Sequence, residues 1–310
     1  MTNDVQNPPS PALALVAYDG VQQAAVLGLR DLFQVANAIS SDLGGAAFDV
    51  QIVTPPDLST RRFQAVILPP NLSGTRGQAG ALTAWIVAQH GQGALLCSIC
   101  AGAFWLAQAG VLSGRPATTH WALEAEFRAA FPNVDLHPEH LLVDDGDVVT
   151  AGGMMAWLDL GLHLVDRWLG GEVMSHTARH LLIDPAGREQ RNYRSFRPRL
   201  DHGDARILAV QHWIASHPSD GLDVAGLAAR AGQSERSFQR HFHAATGLAP
   251  KAYVQAMRVE KARGLLERTR HPVAQIAWQV GYQDVSAFAR VFGQVTGVTP
   301  GDYRTRFTPR

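Results

Sequence analysis

The chain has 310 residues, 46% of them hydrophobic and 17% charged, which excludes a disordered tail or a fibrous repeat and suffices for two cores of ordinary domain size. Only two cysteines occur, Cys97 and Cys100, too few for a disulfide framework and in keeping with a reducing cytoplasm. The net charge of zero joins two unlike halves: residues 1–185 hold 8 Lys and Arg against 17 Asp and Glu, net −9, and residues 186–310 hold 19 against 10, net +9. A basic half attached to an acidic half suggests a nucleic-acid-binding module joined to a domain that stays off the polyanion.

From the N-terminus, MTNDVQNPPSPALALVAY has no basic region ahead of its apolar stretch, and no apolar run approaches the roughly 18 residues that span a bilayer. The expectation is a cytoplasmic, unexported protein without a membrane partner. Short runs rich in Val, Leu and Ile then alternate with helical patterns. LALVAY (13–18) precedes a helix over about Ala24 to Ser40; FDVQIVT (48–54) and AVILPP (65–70) precede a helix over about Ala79 to His90; ALLCSI (94–99) follows. Such alternation predicts a mostly parallel sheet covered by helices on both faces.

In ALLCSICAGAFWLAQAGVL, Cys100 stands where a buried-strand pattern meets a helix, with Ala101 and Gly102 next. A sharp strand-to-helix turn exposes its central side chain and aims helix N–H groups at it, the arrangement of a nucleophile elbow and of an anion site. Cys97 belongs to the strand and is expected to point into the core. Further on, His137 with His140 and His176 with His180 are close pairs, but neither has an evident third ligand, so no metal or other cofactor is expected.

Residues 186–204 form an arginine-rich stretch without apolar periodicity and read as a basic linker between a domain at 1–185 and one at 205–310. The second domain is helical throughout and contains an internal repeat. Phe238 and Phe288, Arg240 and Arg290, Phe242 and Phe292, Gly247 and Gly297, Pro250 and Pro300, and Tyr253 and Tyr303 are each 50 residues apart. Each copy has a short helix (Val224 to Ala231; Val273 to Val280), a Gly-containing turn, a second helix opening at Ser234 or Asp284, and a closing glycine. This is helix-turn-helix grammar. Lys251 to Arg270 reads as one stiff helix between the copies, with the phenylalanines at i, i+4 as packing residues.

The segment Ala205 to Arg306, with its GLAPKAYV and GVTPGDYR endings and RVEKARGLLERT between them, resembles the AraC-type DNA-binding domain. The resemblance implies two recognition helices in successive major-groove segments, with Arg236, Gln239 and Arg240 facing bases from the first and Ser286, Ala287 and Arg290 from the second. The elbow, ATTHW (117–121) and TAGGMMAWLDLGLHLV (150–165) resemble the PfpI-like, class I glutamine amidotransferase-like domain, so that the whole resembles a GlxA-type regulator of the AraC family. The implied fold is a flavodoxin-like α/β domain with a parallel sheet and flanking helices, followed by an all-α double helix-turn-helix domain.

Arg and Gln can each make paired hydrogen bonds to purine edges, whereas Ser is less discriminating and Ala offers only methyl contact, so unequal reading by the two units is expected. In the first domain the chain departs from its catalytic relatives. Position 101 is Ala rather than His, and no acidic residue lies between Asp19 and Asp31, where Gln22 and Gln23 stand. A thiol without a carboxylate or an adjacent imidazole lacks its general base, so the expectation is a catalytically silent sensor rather than an enzyme. Gln22, Cys100, Ala101 and His120 are the expected ligand-binding residues. The expected partners are double-stranded promoter DNA, a small-molecule effector that the resemblance implies to be nitrogenous, a second copy in a homodimer, and RNA polymerase. The rival readings are a thiol-dependent amidase or glyoxalase-like enzyme carrying a DNA-binding domain, and a constitutive DNA binder whose first domain only dimerises.

Overall fold

The computed structural model describes residues 10–55, 58, 60–73, 80–184, 189–218 and 223–308. It divides into two compact units, Met1–Gln190 and Arg191–Arg310. Among the described residues, no helix is long and apolar enough to cross a membrane.

The first unit runs β1 (Ala12–Val16), α1 (Gln23–Asp42), β2 (Asp49–Val53), β3 (Ala65–Leu68), α2 (Ala81–Gly91), β4 (Leu95–Ile99), α3 (Ala103–Gln108), β5 (Pro116–Ala117), α4 (Glu124–Ala130), β6 (Asp135–Leu136), β7 (Leu142–Asp144), β8 (Val148–Ala151), α5 (Trp157–Leu169) and α6 (Gly171–His180). Ala79, the expected start of the second helix, lies outside the described residues. Six strands form one sheet in the order β2-β1-β3-β4-β8-β7. All neighbours are parallel except β7, an antiparallel edge strand paired with β8, so the sheet is mixed rather than wholly parallel. The central strands β1, β3, β4 and β8 are buried along their whole length, which is why their sequences are continuous apolar runs. Helix α1 turns the stripe Ala25, Val26, Leu29, Leu32, Phe33 and Ala36 toward the core, at helical spacing. The chain leaves β1 toward β2 and returns to the other side of β1 for β3. This reversal makes the carboxyl ends of β1 and β3 a topological switch point, where open α/β sheets receive ligands.

Among its described residues the second unit is helical: α7 (Ala205–Ser216), α8 (Val224–Arg230), α9 (Glu235–Thr246), α10 (Pro250–Arg268), α11 (Val273–Gln279), α12 (Val285–Thr296) and α13 (Pro300–Phe307). Two cores divide it. Phe238, Phe242, Tyr253 and Val254 belong to the first, and Val259, Ala262, Leu266, Phe288, Phe292 and Tyr303 to the second. Helix α10 therefore contributes its first half to one core and its second half to the other, which is how a spacer becomes stiff. Pro250 and Pro300 open α10 and α13, where a missing N–H is harmless, and Gly247 and Gly297 close α9 and α12 at φ +76° and +78°.

Of the stretch expected as a linker, residues 186–188 lie outside the described residues. Gln190 is buried in the first unit, and Arg194 and Phe196 make hydrogen bonds within the second.

Candidate functional site

Cys100 follows β4 directly and opens a tight turn, Cys100–Gly102, that leads into α3. Its φ of +54° lies in the left-handed region that a residue with a Cβ rarely adopts, so the elbow is a strained turn held by its surroundings. Gly102 explains part of that hold. A Cβ there would sit 2.1 Å from the Leu68 carbonyl oxygen and 2.9 Å from that of Pro69, so only glycine lets the elbow press against the end of β3. Cys100 and Ala101 are 6% and 4% exposed, and neither cysteine is in a disulfide. Burial pushes the Cys97 thiol well above the ordinary thiol range, so Cys97 is an inert core residue.

The three other segments of the site are tied to the same place. In the loop between β1 and α1, the Gln22 N–H donates to the Pro70 carbonyl at 2.8 Å, Leu72 N–H donates to the Gly20 carbonyl at 2.8 Å, and the Tyr18 hydroxyl donates to the Pro69 carbonyl. The Gln22 side-chain oxygen is buried and accepts no hydrogen bond. Across the elbow, the Thr119 hydroxyl donates to the Cys100 carbonyl at 2.8 Å, which holds the His120 segment beside it. His120 Nδ1 accepts from the Ala122 N–H at 3.1 Å, leaving Nε2 to carry the proton of the neutral ring. Burial lowers the pKa of His120 and favours that neutral form. Gln22, Cys100, Ala101 and His120 thus stand on segments that converge at the carboxyl ends of β1, β3 and β4. The arrangement offers amide and imidazole groups to a ligand, and the one carboxylate of the Gln22 loop, Asp19, is exposed to solvent.

Sequence reasoning missed Gln190. Its side-chain nitrogen donates to the Thr118 hydroxyl at 3.1 Å and to the Thr119 and His140 carbonyls at 2.9 Å, while its oxygen accepts from the Trp121 N–H at 3.1 Å. A side chain at Gly152 would have to displace this amide. A lone glutamine in an arginine-rich stretch carries no pattern that announces such a role. Between His137 and His140, expected to lack a third ligand, stands Glu139: the donor atoms of these three residues lie within 4.8 Å of one another.

In the second unit, α9 and α12 present the expected reading positions to solvent. Arg236, Gln239, Arg240, Ser286 and Arg290 are exposed and Ala287 is half-buried, while Phe238, Phe242, Phe288 and Phe292 are fully buried. Ser234 caps α9 by accepting from the Ser237 N–H at 3.4 Å; Asp284 caps α12 by accepting from Ser286 and Ala287 at 2.9 and 3.3 Å. Another residue not legible in sequence is Arg263 on α10, 4% exposed, whose guanidinium donates to the Arg191 carbonyl at 3.0 Å and to the Arg194 carbonyl.

Residues 20–167 match the DJ-1/PfpI family and residues 227–306 match a helix-turn-helix domain. The chain is 26% identical over 218 residues to the HTH-type transcriptional regulator GbdR of Pseudomonas aeruginosa, covering 70% of this chain and 59% of that protein. It is 30% identical over 212 residues to the HTH-type transcriptional regulator GlxA of Rhizobium meliloti, covering 67% of this chain and 64% of that protein. The chain thus spans about three fifths of the length of the first of these curated relatives. Among solved structures, Drosophila melanogaster DJ-1beta is 20% identical, with a TM-score of 0.47, over 57% of this chain and 100% of that one. The class these matches define is a DJ-1/PfpI domain of flavodoxin-like fold joined to an AraC-type helix-turn-helix domain. The HTH-type transcriptional regulators GbdR and GlxA, to which the chain is similar, share this architecture.

Proposed function

We propose that the protein is a sequence-specific DNA-binding transcription regulator whose first domain senses a small molecule. The observation that carries this reading is the pairing of two exposed helices, α9 and α12, on duplicated buried scaffolds within a basic segment. That is the form a reader of two successive major-groove segments takes. In the first domain, Gln22, Cys100, Ala101 and His120 are the effector-binding residues. The buried, unpaired Gln22 oxygen accepts from a ligand donor, and the elbow's backbone N–H groups receive a ligand carboxylate, in keeping with a small nitrogenous metabolite. Base contact falls to Arg236, Gln239 and Arg240 from α9 and to Ser286, Ala287 and Arg290 from α12. A homodimer through the first domain raises the effective concentration of two such readers on neighbouring half-sites.

The test is selection of genomic fragments by the purified full chain, followed by binding titrations on the selected and on random duplexes. Selected DNA should bind tighter, with a salt dependence corresponding to about 4 to 8 released counterions. Equal affinity for both duplexes would overturn the reading. For the first domain, Cys100→Ser should leave reporter control largely intact, because the elbow meets the effector through its backbone N–H groups, whereas Gln22→Ala and His120→Ala should blunt the response to the effector. A stoichiometric covalent adduct on Cys100 that forms and decays with substrate would favour the thiol enzyme instead.

A further inference from the structure

The turn after β6 gathers imidazoles and carboxylates in an order that ion pairing alone does not require. Glu139 Oε1 lies 3.3 Å from His137 Nδ1 and 3.8 Å from His140 Nε2. Donors bound to one ion by bonds of about 2.1 Å at tetrahedral angles stand about 3.4 Å apart, so these atoms need only a small adjustment to share a metal. The two ring nitrogens that face away from Glu139 also meet carboxylates. His137 Nε2 is 3.0 Å from Asp135 Oδ2, and His140 Nδ1 is 3.5 Å from Glu189 Oε2, a buried oxygen that accepts no hydrogen bond. A carboxylate hydrogen-bonded behind a ligating imidazole fixes its tautomer and raises its basicity; Asp135 holds that place at His137, and Glu189 stands 3.5 Å behind His140.

The backbone of the turn is already fixed. The His137 N–H donates to the Ala117 carbonyl at 2.8 Å, Pro138 restricts the next φ, and the His140 N–H returns to the His137 carbonyl at 3.2 Å. The His140 carbonyl accepts from the Thr118 hydroxyl and from Gln190 Nε2, both at 2.9 Å. Three ligands on four consecutive residues are thereby held without the metal, and little ordering remains for binding to impose.

We propose that His137, Glu139 and His140 form a binding site for a divalent transition-metal ion, zinc in the first place, with Asp135 and Glu189 as its outer carboxylates. Two imidazoles and one carboxylate suit zinc and leave a fourth position open to water or to a ligand. Glu189 precedes Gln190, so the loaded site also restrains the amide that joins the Thr118 hydroxyl and the Thr119 and Trp121 backbone to this turn.

The experiment is competition between a chromophoric zinc chelator and the untagged full chain, together with the absorption spectrum of the chain loaded with cobalt(II). One equivalent of zinc should bind, visible ligand-field bands should appear with cobalt, and Glu139→Gln should weaken binding by more than 10-fold. Asp135→Asn should weaken it by about 10-fold, the usual effect of removing an outer carboxylate. Glu139→Gln is nearly isosteric on a partly exposed turn, so the comparison does not depend on a disruptive variant. Equal zinc affinity in wild type and Glu139→Gln, or a cobalt complex without ligand-field bands, would overturn the site and leave the cluster as neighbouring imidazole and carboxylate groups.

Discussion

The two helix-turn-helix units share an interior and differ in surface. In the first, Phe238 and Phe242 lie 5.2 Å apart at 55°, and Phe242 meets Tyr253 edge-on at 5.1 Å; in the second, Phe288 and Phe292 lie 5.6 Å apart at 53°, and Phe292 meets Tyr303 at 5.4 Å. Even the helix exits repeat: Thr246 and Thr296 each donate to the carbonyl four residues back at 2.8 Å. Outside, Arg236, Gln239 and Arg240 on α9 face Ser286, Ala287 and Arg290 on α12, three long polar side chains against one. The end caps differ as well. Asp284 engages two N–H groups of α12 and brings a negative charge to its N-terminus, whereas Ser234 takes one N–H of α9 at 3.4 Å and adds no charge. The two copies share their buried residues and differ at their exposed helix positions.

If the interiors are equivalent, equivalent damage should follow from matched substitutions. Phe242→Ala and Phe292→Ala each remove a fully buried ring and should each destabilise the second unit by about 3 to 5 kcal/mol. Urea unfolding of the full chain, followed by a probe in the second unit, measures both. A difference beyond about 1.5 kcal/mol would mean that one scaffold relaxes around the cavity and that the units are not energetically alike.

Recognition should separate them. Arg240→Ala should lower affinity for the cognate duplex by about 1 to 3 kcal/mol and relax one base position, the range for a lost paired contact to guanine. Arg290→Ala, without comparable neighbours, should cost less on the cognate duplex and relax its base position less than Arg240→Ala does. Binding to a panel of single-base operator variants measures this. If Arg290→Ala changed the base preference and Arg240→Ala did not, the assignment of the reading role to α9 would be reversed.

The repeat made this comparison legible in sequence, because aromatic side chains at a fixed 50-residue interval survive as letters. The parallel strands were legible for a related reason: burial on both faces writes largely apolar runs, and β3 and β4 fall inside the runs that predict them while β1 starts one residue ahead of its run. Polar contacts over long separations leave no such trace. Arg263 reads as one more charge on a solvated helix, yet its partners are backbone carbonyls 69 and 72 residues away. Gln190 reaches Thr118 and Thr119 across 72 and 71 residues. The short, half-exposed β7 carries no apolar run to mark it as the antiparallel edge. At the turn of His137 and His140 the missing ligand lay between the histidines, while the carboxylates behind them come from positions 135 and 189, which only the fold brings together.

The smallest difference between the two cores is a single hydroxyl partner. Tyr253 accepts from the neutral Gln211 side chain at 3.1 Å, whereas Tyr303 donates to the Glu267 carboxylate at 2.7 Å. Tyr253→Phe and Tyr303→Phe should each destabilise by about 1 kcal/mol near neutral pH, with the larger effect at Tyr303, whose bond is charge-assisted. Alkaline pH should narrow the gap. Burial raises both phenol pKa values above the ordinary 10.0; Gln211 partly offsets the shift at Tyr253, while the bond to Glu267 adds to it at Tyr303 and the nearby Arg263 opposes it. A raised folded pKa favours the neutral phenol in the folded state. Its stabilising contribution is therefore complete below the unfolded value of 10.0 and is lost as pH climbs from there toward the folded value. Tyr282 shifts the same way and is retained in both variants, so it supplies a common background. Stability measured by urea unfolding at successive pH values above neutrality should fall most steeply in wild type, less in Tyr253→Phe and least in Tyr303→Phe. Parallel alkaline limbs for the two variants would show that the Glu267 partner makes no difference to the phenol and that the two cores are equivalent to the last hydroxyl.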